Sequence, residues 1–592
     1  MLQPVSETPT TASLSADRAA PYRRLILEAA PRLMGQFDRE SLSPTRGSFD
    51  RDHWSWKFRD FPVVVMQGSL IPLAWLYKTP FAGNVYHDNA QLLEWVGYGL
   101  QSLLERQHAN GAFDTVGPNT QDHGITLYAV YTLTTVSQTL GDRLPPALRT
   151  RVSKAVSRAC SFAEHSAEDY SFISNHQALF ALAWLRAGLM AGEQSLIKRA
   201  DDTIAQILAR QSSEGWFLEY SGADPGYESL GLHYLAIYQR DRPSAALRAA
   251  LARSVEFYAN FVAADGSVGG GYGSRDTQLW YPGGFELLSP QLPIAAGIAA
   301  FMRSRLEVGN VVTLRNVDAH NLPTLMASYC DAVEAITDSP EVPSASPLPF
   351  EATQPLRVFS ESGLVVVGTQ HYRAVANLRK GGMLVVFGGD SGRILHEDAG
   401  YVIQASGHDW TTALTANPEK VEQSAAFVQI SASFLRANRE VLTPFKFLIL
   451  RALNLTLFRS VWLGALIRNM IVSQIITGRK VGPYRVTRRI DFADDHVTVN
   501  DEIVAEGAAS VTGVHRPRTY QAQHMGSARY FHPRELVSIA TALTEAPNEL
   551  AARLRKAAQL SLQFVVASAT PPDAGLPVTT NSRVSAAPDL TQ

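Results

Sequence analysis

Several features that would assign this chain to a familiar class of protein are scarce or missing. Only two of its 592 residues are cysteines. Cys160 and Cys330 lie in apolar helical patterns, so we expect buried thiols and no disulfide. Three segments place histidine beside carboxylates, but none has the ligand spacing of a metal site, so we predict no metal and no cofactor. These segments are His87-Asp88, Asp122-His123 and His396-Glu397-Asp398.

Strong charge of either sign is also missing. The net charge is only −2, and no long basic run is present, which argues against nucleic acid as a partner. The first twenty residues lack the basic start and apolar core of a secretory signal. This absence predicts a cytoplasmic location, with periplasmic export by a non-standard route as the alternative.

No apolar run reaches the roughly 18 residues that a membrane-spanning helix needs. The closest approach is the stretch 445–477, which Arg451, Arg459 and Arg468 interrupt. On a helical wheel these arginines do not share one face, so a clean interfacial helix is not predicted. We expect a buried helix or strand pair here, with weak membrane-surface contact as the alternative.

Two kinds of periodicity divide the chain. Between residues 21 and 337, apolar residues recur at spacings of three and four, which predicts helices. An internal repeat relates 106–113 to 210–217, and its period of about 52 residues is the length of one helical hairpin. After a Pro- and Ser-rich segment the period falls to two, and the short strands are separated by Gly and Asp turns.

These patterns predict an α+β chain with an N-terminal (α/α) toroid of helical hairpins followed by an antiparallel β-sandwich. The composition of both ends is typical of disorder. The predicted boundaries are a disordered N-terminus at 1–20, the toroid at 21–337, a linker at 338–355, the sandwich at 356–568 and a disordered tail at 569–592.

Residues useful for acid–base chemistry gather between 174 and 234. Ser174-Asn175-His176 opens a nearly wholly apolar helix, where Asn175 either caps the helix or binds a carboxylate. The helix N-terminus is expected to lower the pKa of His176, which would make neutral imidazole available as a base. Asp224-Pro225-Gly226 is a rigid turn that places Tyr227 at a loop–helix junction, although a core-packing role for this tyrosine is the alternative.

Further residues near this segment are suited to binding a sugar acid. Glu219 and Asp224 are two carboxylates on one loop, which is the pair a glycosidase uses, or else they are solvated loop residues. Arg275, in a glycine-rich segment, suits a carboxylate, and Trp216 or Trp280 suits a pyranose face. The alternative for this segment is a loop that is paired internally.

On these motifs the chain resembles the heparinase II/III-like polysaccharide lyases, most clearly over 174–238. That family couples an (α/α) toroid to a β-sandwich, and the resemblance implies β-elimination on an anionic, uronic-acid-containing polysaccharide or oligosaccharide. It implies that Asn175 neutralises the uronate carboxylate, that His176 or Tyr227 removes the C5 proton, and that Tyr227 protonates the departing O4. The His-x-His-x-Asp pattern that many members carry in the sandwich is missing here.

Other functions remain compatible with the sequence. A glycoside hydrolase using Glu219 and Asp224, or a uronyl C5-epimerase that begins with the same proton abstraction, would fit the same scaffold. A non-catalytic protein for polysaccharide binding or assembly would fit the missing signal peptide and the unexplained apolar stretch 445–477.

Overall fold

The structure is a computed structural model, and it describes residues 17–115, 117–168, 171–389, 392–438, 443–472, 480–521, 530–531, 533–536 and 545–567. The first part of the chain is helical and the second is built on antiparallel strands. The predicted α+β class, with a toroid followed by a sandwich, is therefore confirmed. The disordered ends predicted at 1–20 and 569–592 lie almost wholly outside the described residues.

The helices of the first part alternate between an inner and an outer layer. They are α1 Ala20–Gly35, α2 Arg51–Trp54, α3 Leu70–Lys78, α4 Ala90–Glu105, α5 His123–Leu140, α6 Pro146–Glu164, α7 Ser174–Ala191, α8 Gln194–Leu208, α9 Pro225–Asp241, α10 Ala245–Ala259, α11 Pro282–Leu288, α12 Pro293–Arg305 and α13 Leu322–Asp338. Among the described residues, six inner helices (α3, α5, α7, α9, α11 and α13) each pack against the next, and α13 packs back on α3. The ring is thereby closed.

The closed ring explains why the inner helices are apolar on every side. In α7 the whole run from Ala178 to Gly188 is buried, because each side of the helix meets another helix. Outer helices need only one apolar face, as in α8, where Leu196, Ile197, Ala200 and Ile204 are buried while Lys198 and Asp202 are exposed.

The repeated loop has the same structure in both copies. Gln107 Nε2 donates hydrogen bonds to the carbonyls of Gly111 at 3.0 Å and Ala155 at 2.8 Å, and Gln211 and Gly215 repeat this arrangement. Both glycines have positive φ angles, 97° and 107°. A Cβ on Gly111 would lie 2.1 Å from a carbonyl oxygen of the next outer helix. Glycine is therefore required wherever this loop passes under an outer helix.

The strands of the second part form two antiparallel sheets. They are β1 Gln354–Phe359, β2 Leu364–Gly368, β3 Tyr372–Asn377, β4 Met383–Gly388, β5 Ile394–Asp398, β6 Val402–Ala405, β7 His408–Thr411, β8 Lys420–Gln423, β9 Phe427–Arg436, β10 Val481–Phe492, β11 His496–Ala505, β12 Val511–His515 and β13 Gln559–Ala567. The smaller sheet has the order β1-β2-β3-β4-β5, and the larger has β12-β6-β7-β9-β10-β11-β13, with β8 paired to β9. A shared apolar core joins the two sheets, and helix α16 Pro547–Ala557 packs on the larger one.

Toroid and sandwich are joined by a continuous apolar cluster. Its aromatic members from the toroid include Trp216, Phe257 and Phe261, and these pack against Phe359 and Phe387 of the smaller sheet. Phe257 and Phe359 meet edge to face, with ring centroids 5.1 Å apart. The two parts therefore bury apolar surface against each other as a protein core does.

The stretch at 445–477 differs from its prediction. Helices α14 Pro444–Leu455 and α15 Val461–Val472 form an insertion between β9 and β10. The expectation that this stretch is buried is wrong, because most of its described apolar side chains are exposed. None of the helices within the described residues is long and apolar enough to cross a membrane.

A buried ionic network lies between the two sheets of the sandwich. Arg488, which has no exposed surface, pairs with Asp501 through two hydrogen bonds of 2.8 and 3.0 Å and with Asp398 at 2.9 Å. Tyr401 donates a further hydrogen bond to Asp501, and His396 contacts Asp398 at 2.8 Å. The guanidinium holds the pKa of Asp398 well below its usual range against the opposing effect of burial.

We expect the Arg488→Met variant to lose about 3–5 kcal/mol of stability, since removing one partner leaves buried carboxylates unpaired. The measurement is the midpoint of urea unfolding. Arg489→Met is the matched control, because the side chain of the neighbouring Arg489 is 38% exposed and its ion pair with Asp491 lies at the surface. Equal midpoints for the two variants would contradict this assignment.

Candidate active site

The N-termini of the inner helices gather at one end of the ring. One outer helix separates each inner helix from the next in sequence, so the inner helices run in the same direction. Each N-terminus carries the positive end of a helix dipole, and in α5, α7 and α9 backbone N–H groups of the first turn donate to Asp122, Glu219 and Asp224. This end of the ring is therefore suited to attract an anion, and it is where the predicted residues of α7 and α9 lie.

Asn175 is held by a carboxylate from a neighbouring loop. Its backbone N–H donates to Glu219 Oε1 at 2.9 Å, and its side-chain Nδ2 donates to Oε2 at 2.6 Å. The alternative that Asn175 is only a helix cap is wrong, because α7 has Ile173 at the cap position and no side-chain cap. The amide nitrogen carries two protons, and the bond to Glu219 uses one of them.

Glu219 fixes the orientation of Asn175 through these two hydrogen bonds. The side chain has no exposed surface, and burial raises its pKa well above the usual range, against the hydrogen bonds from Asn175. Ser174 donates from both its backbone N–H and its hydroxyl to the Leu218 carbonyl, at 3.0 and 2.8 Å. The start of α7 is thus fixed to the loop that carries Glu219.

His176 forms a dyad with a buried glutamate. Its Nδ1 lies 3.0 Å from Glu168 Oε1, and the imidazole is 36% exposed whereas the glutamate is 5% exposed. Desolvation lowers the pKa of His176, but Glu168 and Asp122 outweigh it, and the net shift is upward. The expectation of a lowered pKa is therefore wrong. If Nδ1–H donates to Glu168, Nε2 is left to face a ligand.

Tyr227 lies in the first turn of α9. Its backbone N–H donates at 3.0 Å to Asp224 Oδ1, which caps the helix. The preceding Gly226 is needed because a Cβ there would lie 2.4 Å from the carbonyl oxygen of Thr277. The Pro-Gly-Tyr motif thus brings α9 close to the glycine-rich loop and leaves the tyrosine partly exposed.

Tyr220 and Arg275 complete the cluster. The Arg275 guanidinium lies 3.8 Å from the centroid of the Tyr220 ring, and Tyr220 has a φ of 60°, which is uncommon for a residue other than glycine. The charge of Arg275 acts on both Tyr220 and His176, and Tyr227 also acts on Tyr220. These side chains therefore share one electrostatic neighbourhood.

The glycine-rich loop at 269–276 is clamped by the second domain. The buried ammonium of Lys380, which follows β3, donates to the carbonyls of Gly271 and Gly273 and to Asp276, at 2.7, 3.0 and 2.5 Å. The loop in turn donates from the Arg275 backbone N–H to Asp224 at 2.7 Å. The sandwich thereby helps to position Arg275.

Four predicted substrate-binding residues, Trp216, Glu219, Asp224 and Trp280, are buried and are not available to a sugar. Trp280 has no exposed surface and lies in the toroid core, and Trp216 is buried in the cluster that joins the two domains. Asp224 is buried as the cap of α9, and burial raises its pKa to about 6. Glu219 and Asp224 therefore do not form the exposed carboxylate pair that a glycosidase requires.

Two of the three histidine–carboxylate segments make structural contacts, and Asp122 also contributes to the raised pKa of His176. Asp122 caps α5, His123 contacts Ser166 at 3.0 Å, and His396 belongs to the buried network of the sandwich. In the part of the chain that the structure describes, there is no group of three or more His, Cys, Asp or Glu residues arranged to hold a metal ion.

Glu168 and Tyr220 are site residues that the sequence did not identify. Glu168 precedes His176 by eight positions in a segment without a motif, and the two meet only through the folding of the loop before α7. The left-handed backbone of Tyr220 cannot be read from its residue type. The Ser221-Gly222 dipeptide that follows is the sequence signal that could have indicated a turn at Tyr220.

Solved structures of polysaccharide lyases resemble this chain in fold. A chondroitin AC lyase from Streptomyces coelicolor A3, solved in complex with chondroitin sulphate, matches with a TM-score of 0.52 and 14% identity, over 86% of this chain and 69% of that chain. A Paenibacillus xanthan lyase matches with a TM-score of 0.50 and 13% identity, over 84% of this chain. The chain has the fold of these polysaccharide lyases. It spans 46% of the length of the xanthan lyase.

The similarity is confined to structure. No family model matches the sequence, and no curated protein matches it significantly. The fold predicted from the resemblance to heparinase II/III-like lyases is confirmed by the solved lyases, while the roles of individual residues rest on the geometry of the site.

We expect the titration midpoint of His176, followed by NMR on histidine-labelled protein, to lie above the ordinary value of 6.5 and to fall in the Glu168→Gln variant. Because the folded pKa is raised, protonation stabilises the folded state fully below pH 6.5, and this stabilisation is lost as the pH rises through the folded value. Buried His233, whose pKa burial lowers to about 3, is the internal control that stays neutral. An unchanged midpoint in the variant would show that Glu168 does not set the charge of His176.

Proposed function

We propose that the protein is a polysaccharide lyase that cleaves a uronic-acid-containing polysaccharide by β-elimination. The observation that carries the proposal is the convergence of an amide, an imidazole–carboxylate dyad and a tyrosine at the N-termini of two adjacent inner helices. Asn175 and His176 open α7, Tyr227 opens α9, and the two helices pack together. The lyase fold supports the proposal without deciding it.

The first requirement of β-elimination is to make the C5 proton acidic. We place the uronate carboxylate against the remaining proton of the Asn175 amide and in the positive potential of Arg275 and of the helix N-termini, where Asn175 and Arg275 are only 3% and 6% exposed. Preorganised donors of this kind commonly contribute about 10²–10³ in rate. Glu219 acts as a positioning residue, because it fixes the orientation of the Asn175 amide.

The second requirement is a pair of proton transfers. Neutral His176 accepts the C5 proton at Nε2, and Glu168 stabilises the imidazolium that forms. The electron pair of the C5–H bond forms the C4–C5 double bond while the C4–O4 bond breaks, and Tyr227 donates its phenolic proton to O4. For a sugar that presents the C5 proton on the same side as O4, Tyr227 serves both steps.

A glycoside hydrolase is disfavoured by the burial of both candidate carboxylates. A C5-epimerase begins with the same proton abstraction but returns a proton to C5 and retains the O4 bond. Incubation in D₂O separates the two reactions, since an epimerase incorporates deuterium at C5 without chain cleavage and a lyase yields unsaturated ends.

We expect Tyr227→Phe to reduce the rate of unsaturated-end formation by about 10²–10⁴, because the variant has no acid for O4. The measurement is absorbance near 230 nm on a panel of uronans. Tyr238→Phe is the matched control, since Tyr238 lies at the opposite end of the same helix and its hydroxyl donates to Asp201.

Tyr238→Phe should retain the wild-type rate, and circular dichroism should show both variants folded. If Tyr227→Phe retains full activity, Tyr227 is not the acid. If the wild-type protein forms no unsaturated ends on any uronan but releases reducing ends from a neutral glycan, the proposed reaction class is wrong.

A further inference from the structure

The helical hairpin made of α14 and α15 exposes apolar side chains to solvent and buries a polar one against the toroid. Apolar side chains face solvent, with Phe445, Leu448 and Trp462 exposed to 72%, 67% and 72%. The polar Asn454 is instead buried, with 1% exposure. A helix that packs on a globular core buries its apolar face, so this hairpin presents an apolar surface outward.

Polar contacts fix the inner side of the hairpin to the toroid. Asn454 Nδ2 donates to the Pro118 carbonyl, and Asn119 Nδ2 donates to the Asn454 carbonyl, each at 3.1 Å. Gln121 Nε2 donates to the carbonyls of Phe458 and Arg459 at 3.2 Å. The outward face is therefore held in place by buried and partly buried hydrogen bonds on the opposite side.

A neighbouring loop of the toroid extends the apolar surface. Arg451 joins the two elements, because its guanidinium pairs with Asp60 at 3.0 Å and lies 5.5 Å from the Phe61 ring. In the same loop Trp56 and Phe58 are exposed and stacked, with ring centroids 6.2 Å apart. The exposed patch therefore combines α14, α15 and the loop at 56–61.

The charge of the hairpin has one sign. Residues 443–472 contain four basic residues and no acidic residue. Lys446 and Arg459 are exposed. A cationic surface with exposed Phe, Leu and Trp complements an anionic lipid headgroup layer over an acyl region, where tryptophan is typically enriched.

We propose that α14, α15 and the loop at 56–61 form a docking surface for an anionic lipid bilayer. Each helix has 12 residues, which is about 18 Å of length and too short for the roughly 30 Å hydrocarbon core. The hairpin therefore lies in the headgroup region and does not cross the bilayer. The toroid loop that contacts the hairpin, residues 118–121, leads directly into Asp122 and α5 at the candidate active site.

The test is cosedimentation of the full-length protein with vesicles. We expect wild-type protein to bind vesicles of equal parts phosphatidylglycerol and phosphatidylcholine at least about tenfold more strongly than pure phosphatidylcholine. The triple variant Phe445→Ser, Leu448→Ser, Trp462→Ser should lose about tenfold or more of this binding. The double variant Lys446→Glu, Arg459→Glu should lose the preference for anionic vesicles.

The matched control is Leu42→Ser, Val308→Ser, Val342→Ser, which removes three equally exposed apolar side chains elsewhere and should bind as wild type does. Absence of wild-type binding, or equal binding by the two triple variants, would overturn the proposal. It would also be overturned if wild-type protein is a dimer that ignores vesicles and the hairpin variant is a monomer, since the patch would then contact a second copy.

Discussion

The closed ring of inner helices is the constraint on which the rest of the structure depends. Because every inner helix is enclosed by other helices, most of its side chains must be apolar, and interior polar groups such as Thr132 and His233 are buried exceptions. The hairpin repeat then brings all the N-terminal ends to the same side of the ring. Asn175, His176 and Tyr227 occur where the architecture permits polar side chains and where the backbone favours an anion.

The second domain stabilises this end of the ring. Lys380 holds the glycine-rich loop through three hydrogen bonds, and Asn377 donates a fourth to the Tyr272 carbonyl at 2.6 Å. The same loop contacts the Glu219 carbonyl through Ser274 at 3.0 Å. A continuous path of contacts therefore leads from the sandwich to the residue that orients Asn175.

The sequence predicted the architecture because toroid and sandwich have different apolar periods, and it placed Asn175 and Tyr227 at helix starts, where the structure also has them. The sequence-based predictions were wrong where a residue's environment is set by residues elsewhere in the fold that no local motif identifies. Trp216 has the local signals of a sugar platform, yet it packs against the sandwich. Nothing near His176 indicates that Glu168 raises its pKa, and the exposure of the hairpin at 445–472 depends on which of its faces meets the toroid.

The central claim is that this cluster breaks a glycosidic bond by elimination, without adding water. The most direct measurement is mass spectrometry of the products formed from a defined oligouronide in H₂¹⁸O. The account predicts two products whose masses sum to the mass of the substrate, with no ¹⁸O incorporated. Products that together exceed the substrate by one water, and that carry ¹⁸O at the new end, would contradict it.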